Sequence, residues 1–194
     1  MTDSEPRRHC ILVLDTSESM GASGIAGLRA LALQVCQSLA PGDFLSIVHF
    51  SSQARIVLPP SPAGPLLTAH VLHDAPAWKA AGNTNLESGW LAAIACHRAL
   101  SSPDTRVLVT LDGRANEGAA SPDELHQLGQ LASGSRVAIF GLGLLCSLPQ
   151  MDALADGARG EVIRVLLPAQ LPAAASRWLT PAPSARACTS GRSG

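Results

Sequence analysis

Oxygen-bearing side chains follow directly after two apolar runs of the sequence. The run C-I-L-V-L leads into D-T-S-E-S, and the run R-V-L-V-T-L leads into D-G-R-A-N-E-G. A third polar stretch, G-N-T-N, lies between them along the chain. Hard cations such as Mg²⁺ prefer oxygen ligands, so these stretches together could hold a divalent metal. The candidate ligands are Asp15, Ser17, Ser19, Thr84 and Asp112.

These side chains can meet only if the apolar runs before them are neighbouring strands. Short apolar runs recur between longer segments whose apolar residues are three or four apart, with Gly, Pro, Ser and Asp at the joins. Such alternation is typical of the strands and helices of an α/β fold. The predicted strands cover residues 10–14, 44–50, 55–58, 106–111, 137–142 and 161–165.

The second and third predicted strands are joined by residues 51–54 alone. A parallel pair needs a crossover of about a dozen residues or more, so we predict an antiparallel hairpin at the edge of the sheet. Proline cannot donate a hydrogen bond to a neighbouring strand. Pro59 and Pro60 are therefore expected to end this strand pairing.

Helical spacing of apolar residues predicts helices over residues 24–39 and 86–97. In S-P-D-E-L, Ser121 can cap backbone N–H groups and Glu124 completes a capping box. This motif predicts the start of another helix, which we expect to end at Gly134. Two further helices are predicted, one from about Pro149 and one over residues 168–179.

The order of the strands decides whether the two aspartates meet. In a doubly wound sheet of order 3-2-1-4-5-6, the first and fourth strands are neighbours, and ligands bind where the order reverses. Asp15 and Asp112 follow those two strands. We therefore predict a three-layer, Rossmann-like α/β sheet of this order, with strand 3 antiparallel at the edge and helices on both faces.

The motifs D-T-S-E-S, G-N-T-N and L-D-G-R-A-N-E-G, in this order, resemble the von Willebrand factor type A (vWA) domain and its metal-ion-dependent adhesion site. In that family the first motif is D-x-S-x-S, the second contributes a threonine and the third an aspartate before glycine. The five candidate residues fill all these positions. One departure is Leu111, where many members have threonine or serine. Strand alternation predicts that Leu111 points away from the metal.

The resemblance implies a divalent cation, normally Mg²⁺, with Mn²⁺ or Ca²⁺ as other possibilities. Hydroxyls of Ser17, Ser19 and Thr84 would bind it directly, and Asp15 and Asp112 would bind it through waters. One coordination position would remain for an Asp or Glu of a partner protein. The resemblance covers approximately residues 9–179; residues 1–8 are then an N-terminal extension, and residues 180–194 a disordered tail.

The implied function is protein binding and not catalysis. Members that resemble this chain occur beside AAA-type ATPases, which suggests such an assembly as partner. A phosphoryl-transfer enzyme of haloacid-dehalogenase type is an alternative, but its second acid is replaced here by Ser17. A structural spacer that binds no metal is another, which the complete ligand set disfavours. A dinucleotide site is disfavoured because Gly141 and Gly143 lack the third glycine of that motif.

Composition excludes further classes of function. Among 194 residues, 14 basic and 15 acidic side chains give a net charge of −1, so nucleic acid is not an expected partner. The apolar run at residues 10–14 is too short for a signal-peptide core, and no run reaches the roughly 18 residues of a membrane span. We therefore expect a cytoplasmic protein that does not bind membranes. The five cysteines lack zinc-site spacing.

Simpler interpretations exist for several of these residues. Asp15 and Ser17 are also favoured residues for capping a following helix, and Thr84 is also a plausible hydroxyl at a helix start. His70 and His73 have helical spacing, which fits a solvated helix face better than a metal pair. Trp78 could flank the binding face or pack beneath it.

Overall fold

The computed structural model describes residues 8–100, 102–144 and 146–179. Within these residues, six strands form one sheet of order β3-β2-β1-β4-β5-β6. The β2–β3 pair is antiparallel and the others are parallel, which confirms the predicted order and direction. The strands are β1 His9–Asp15, β2 Phe44–Phe50, β3 Ala54–Pro62, β4 Thr105–Leu111, β5 Arg136–Leu142 and β6 Glu161–Val165.

In the described part of the chain, six α-helices cover the two faces of the sheet. They are α1 Gly21–Ser38, α2 Pro65–Asp74, α3 Leu86–Ala99, α4 Pro122–Gly129, α5 Leu148–Ala158 and α6 Leu171–Leu179. Apolar residues of α1, α2 and α6 pack on one face, and those of α3, α4 and α5 on the other. The three-layer arrangement follows the prediction. No helix in the described part of the chain is long and apolar enough to cross a membrane.

Strand β1 is the centre of this arrangement, because it pairs with β2 on one side and β4 on the other. Its side chains alternate between the two cores: Leu12 packs towards α1, whereas Val13 packs towards α3. A strand covered on both faces must be apolar at every position, which explains the continuous apolar run. Burial continues beyond the strand through Thr16 and Ser17, and the chain becomes exposed at Glu18.

The prediction that Pro59 and Pro60 end the hairpin ladder is wrong. β3 continues through them, and Ser61 and Pro62 pair with Leu45 and Phe44. The β2–β3 pairing register shifts between Leu45 and Ile47, so the two prolines lie in a β-bulge of the edge strand. Edge strands tolerate proline at a bulge because the missing N–H donor leaves no inner neighbour unpaired.

Other differences concern helix bounds. The capping box of Ser121 and Glu124 is present, but α4 ends at Gly129 and a short 3-10 helix, Gln130–Ala132, replaces its predicted last turn. The residue Leu131 is consequently 39% exposed. Residues 168–170 are also a 3-10 helix, before α6. Helix α2 was not predicted, because only Leu67 and Val71 are buried in it.

The predicted end regions of the chain lie almost entirely outside the described residues, as does Cys188. Cys10, Cys36, Cys96 and Cys146 are buried, and no disulfide joins them to one another or to any other described residue. They therefore act as small core side chains.

Candidate functional site

The loop after β1 is fixed by hydrogen bonds to both neighbouring strands. The backbone N–H of Asp15 donates to Thr110 Oγ1 of β4 at 3.1 Å. On the other side, the N–H and the hydroxyl of Thr16 both donate to the carbonyl of Phe50, the last residue of β2. The loop therefore begins at a rigid position at the carboxyl edge of the sheet.

Four of the five predicted ligands form one hydrogen-bonded chain. Asp15 Oδ1 accepts a bond from the Ser17 backbone N–H at 2.8 Å. The Ser17 and Ser19 hydroxyl oxygens lie 3.0 Å apart, and the Ser19 hydroxyl donates to Asp112 Oδ1 at 2.8 Å. Loops that follow β1 and β4 thus meet where strand order reverses. Ser17 is buried and Ser19 is exposed, so the chain of oxygens leads from the core to solvent.

Thr84 is buried in the loop before α3, and this loop is tied to both of the others. The Thr84 carbonyl accepts from the N–H groups of Asn116 and Glu117, and Asn116 Oδ1 accepts from the Thr84 N–H. The Glu18 N–H donates to the carbonyl of Gly82. Among the described residues, no hydrogen bond joins the Thr84 hydroxyl to the other four ligands. The structure therefore places Thr84 in the adjoining loop, outside the hydrogen-bonded chain of the other four residues.

Burial makes the ionised form of the carboxyl groups at this site unfavourable. Asp15 is fully buried, and its Oδ2 has no hydrogen-bond partner among the described residues. Burial raises the pKa of Asp15 to about 7, with a smaller contribution from the negative charge of Asp112. Burial also raises the pKa of Asp112. Two carboxylates that are both hard to ionise would be stabilised as anions by a cation between the loops.

The chemistry of these residues fits a hard divalent cation. Their side chains offer only carboxylate and hydroxyl oxygens, the donor type that Mg²⁺ prefers. A buried carboxylate oxygen without a partner costs free energy, and a bound cation or its water would supply the missing partner of Asp15. The residues that would hold Mg²⁺ here are Asp15, Ser17, Ser19 and Asp112, with Thr84 beside them.

Comparison with known proteins agrees with this fold. The sequence model of the von Willebrand factor type A domain matches residues 10–114. The chain belongs to the von Willebrand factor type A domain family. No curated protein matches the sequence significantly.

Solved structures show the same vWA fold. A von Willebrand factor type A protein from Catenulispora acidiphila is 20% identical with a TM-score of 0.78, over 90% of this chain and 42% of that chain. The ArnB paralog VWA2 from Sulfolobus acidocaldarius is 20% identical (TM-score 0.68), over 88% of this chain and 44% of that one. The vWF domain of the type V pili tip protein Mfa5 from Porphyromonas gingivalis is 12% identical (TM-score 0.68), over 90% and 94%. This chain thus spans less than half the length of the first two proteins.

Burial and side-chain contacts also test the simpler interpretations of individual residues. Leu111 is fully buried in the core beside α3, α4 and α5, so it does point away from the site. Trp78 is 8% exposed and packs edge-on against His49. Exposed His70 and His73 both contact Asp74 on α2, which confirms a solvated helix face. The helix cap before α3 is Asn85 and not Thr84.

Gln150 holds one loop of the candidate site in position, and the sequence analysis did not identify it. Its Oε1 accepts from the Ala115 N–H at 2.9 Å, and its Nε2 donates to the carbonyls of Ala115 and Ala120. It thereby holds the loop after Asp112 from within α5. A polar residue on the inner face of a predicted helix was the available signal, because buried polar groups require partners.

Replacing Gln150 by alanine should loosen the loop that carries Asp112. Three backbone groups would lose their partner, and we expect the free energy of unfolding to fall by about 2 kcal/mol. Hydrogen exchange at residues 113–120 should accelerate more than exchange in β4. Gln130→Ala, at an exposed position, is the control. Equal exchange in the two variants would contradict this role.

Proposed function

We propose that this vWA domain is a protein-binding module that uses a divalent cation, Mg²⁺ by preference, to capture an Asp or Glu carboxylate of a partner. The observation that carries the proposal is the hydrogen-bonded set of Asp15, Ser17, Ser19 and Asp112, in which one buried Asp15 oxygen has no hydrogen-bond partner from any described residue. The exposed Ser19 end of this set gives a partner access to the ion.

The balance of hydroxyls and carboxylates supports binding to an acidic group. Neutral hydroxyls close to an ion leave most of its charge uncompensated, so an incoming carboxylate gains more than it would from an ion already neutralised by direct carboxylates. The aspartates would act through waters, as in the adhesion site that the sequence resembles. Affinity for the partner should then depend on both the metal and one acidic residue.

We do not propose a catalytic function for these residues. Phosphoryl transfer of haloacid-dehalogenase type requires a second acid two positions after the first, and Ser17 occupies that position. A serine hydroxyl is too weak an acid at neutral pH to replace the missing carboxyl group, and the backbone N–H of Ser17 donates to Asp15. Measurable hydrolysis of a generic phosphate ester would favour the enzyme instead.

We further propose a cytoplasmic setting and a partner within a larger assembly that contains an AAA-type ATPase. These proposals rest on family analogy alone. Mn²⁺ and Ca²⁺ are alternative cations, since both also take oxygen ligands.

A pulldown from cell extract tests the proposed function. We expect the parent chain to capture a partner in Mg²⁺, to release it on chelation, and to lose it in the Asp112→Ala variant. Replacing one Asp or Glu of the captured partner by its amide should abolish binding. Asp152→Ala, at an exposed position on α5, is the matched control. Capture that survives chelation would contradict the proposed metal dependence, whereas a parent chain that captures no partner would favour the structural spacer.

A further inference from the structure

A groove of about 230 Å³ opens beside the candidate metal site. Ser19 and Asp112 line one end of it, so the groove and the site share two residues. The remaining walls are mainly apolar and include Met20, Leu142 and Leu166. A partner segment that places a carboxylate at the site can therefore also contact this groove.

The rim of the groove exposes large apolar side chains. Leu144 is 76% exposed and Leu166 is 59% exposed, and the adjoining Leu167 is 60% exposed. Single exposed leucines are ordinary on soluble proteins, but exposed apolar residues gathered beside a candidate site indicate an interaction surface. Asp112 is the only charged residue among those that line the groove, so the groove favours an uncharged occupant.

The walls of the groove are held in place before any ligand arrives. The Gly143 N–H donates to the Val165 carbonyl at 2.9 Å, which joins the loops after β5 and β6. Gly27 of α1 lies so close to Pro168 that an added Cβ would fall 2.8 Å from the Pro168 Cβ. Side chains on a preformed surface lose little freedom on binding, which favours affinity.

We propose that this groove receives an aliphatic side chain of the same partner segment that supplies the carboxylate. This inference rests on the proposed function and specifies its ligand: a segment with Asp or Glu one or two residues from Leu, Ile or Met. Neighbouring Cα atoms lie about 3.8 Å apart, so both side chains can reach adjoining subsites. An apolar cavity of about 150 Å³ can hold a benzene molecule, so this groove has room for one such side chain.

A displayed peptide library tests the inference. The peptides carry a fixed central Glu between randomised positions, and selection against the full chain is run in Mg²⁺ and in a chelator. We expect Mg²⁺-dependent enrichment of Leu, Ile or Met at one fixed offset from the Glu. Leu166→Ser should weaken binding of the selected peptide about tenfold. It should leave binding unchanged for the same peptide with serine at that offset.

The controls separate this inference from the function on which it rests. Leu72→Ser, at a 52% exposed leucine on α2, should bind like the parent. Mg²⁺-dependent selection of Glu peptides without an aliphatic preference would overturn the inference and leave the proposed function standing. Failure to select any Glu peptide in Mg²⁺ would overturn both.

Other occupants would be recognised by separate measurements. A dimer in sedimentation experiments that Leu166→Ser abolishes would assign the groove to a second copy of this chain. Tighter peptide binding after removal of residues 180–194 would assign it to the end of the chain itself. Either result would overturn the proposal.

Discussion

Mg²⁺ is expected to raise the melting temperature of this vWA domain, and Asp112→Ala is expected to remove the effect. A ligand that binds only the folded state stabilises it by mass action, by about 2.7 kcal/mol at a hundredfold excess over its dissociation constant. For a domain of this size, that corresponds to a rise of about 5–10 °C. Thermal denaturation against Mg²⁺, Mn²⁺ and Ca²⁺ measures the response and ranks the cations.

The Asp112→Ala variant is informative because its melting temperature should differ from that of the parent in opposite directions without and with Mg²⁺. Without metal, removal of Asp112 relieves repulsion with the buried Asp15, so the variant should melt at or above the temperature of the parent. With Mg²⁺ it should melt below the parent, since the site has lost a carboxylate. Asp152→Ala should respond like the parent. A variant that keeps the full Mg²⁺ response would contradict the assignment of Asp112.

Gly157→Ala is expected to destabilise the domain strongly, although alanine is the better helix former. A Cβ at Gly157 would overlap the carbonyl oxygen of His126, on α4, and would lie 3.1 Å from the Gly129 Cα. The two helices cross with only glycine between their backbones, so they would have to separate. Alanine stabilises a helix by about 1 kcal/mol relative to glycine, but the free-energy cost of the overlap with a neighbouring backbone is larger than this gain. We expect a net loss of about 2–3 kcal/mol.

Urea denaturation measures this loss as a lower midpoint. Gly113→Ala is the matched control, because an added Cβ there meets no atom within 4 Å. A Gly157→Ala midpoint equal to that of the parent would show that α4 and α5 separate at little cost. Neither substitution alters a proposed ligand.

The central strands and most helices were predictable because each depends on a local pattern. Residues 10–14 of β1 are all apolar since both faces of the strand are covered, and Ser121 and Glu124 form their capping box within one turn. Helix α2 was not predictable from its own sequence, because it buries only Leu67 and Val71. The bulge at Pro59 and Pro60 depends on pairing with β2, which no local pattern contains.

The sequence by itself determined the candidate ligands and the alternation of strands and helices from which the order of the sheet was predicted, because residue type and apolar spacing are local properties. Tertiary structure alone decided that Asp15 is buried with an unpartnered oxygen, that Gln150 holds the loop after Asp112, and that an apolar groove adjoins Ser19. Burial, loop contacts and cavities arise from segments far apart in the chain. They therefore exist only once the sheet and its helices have packed.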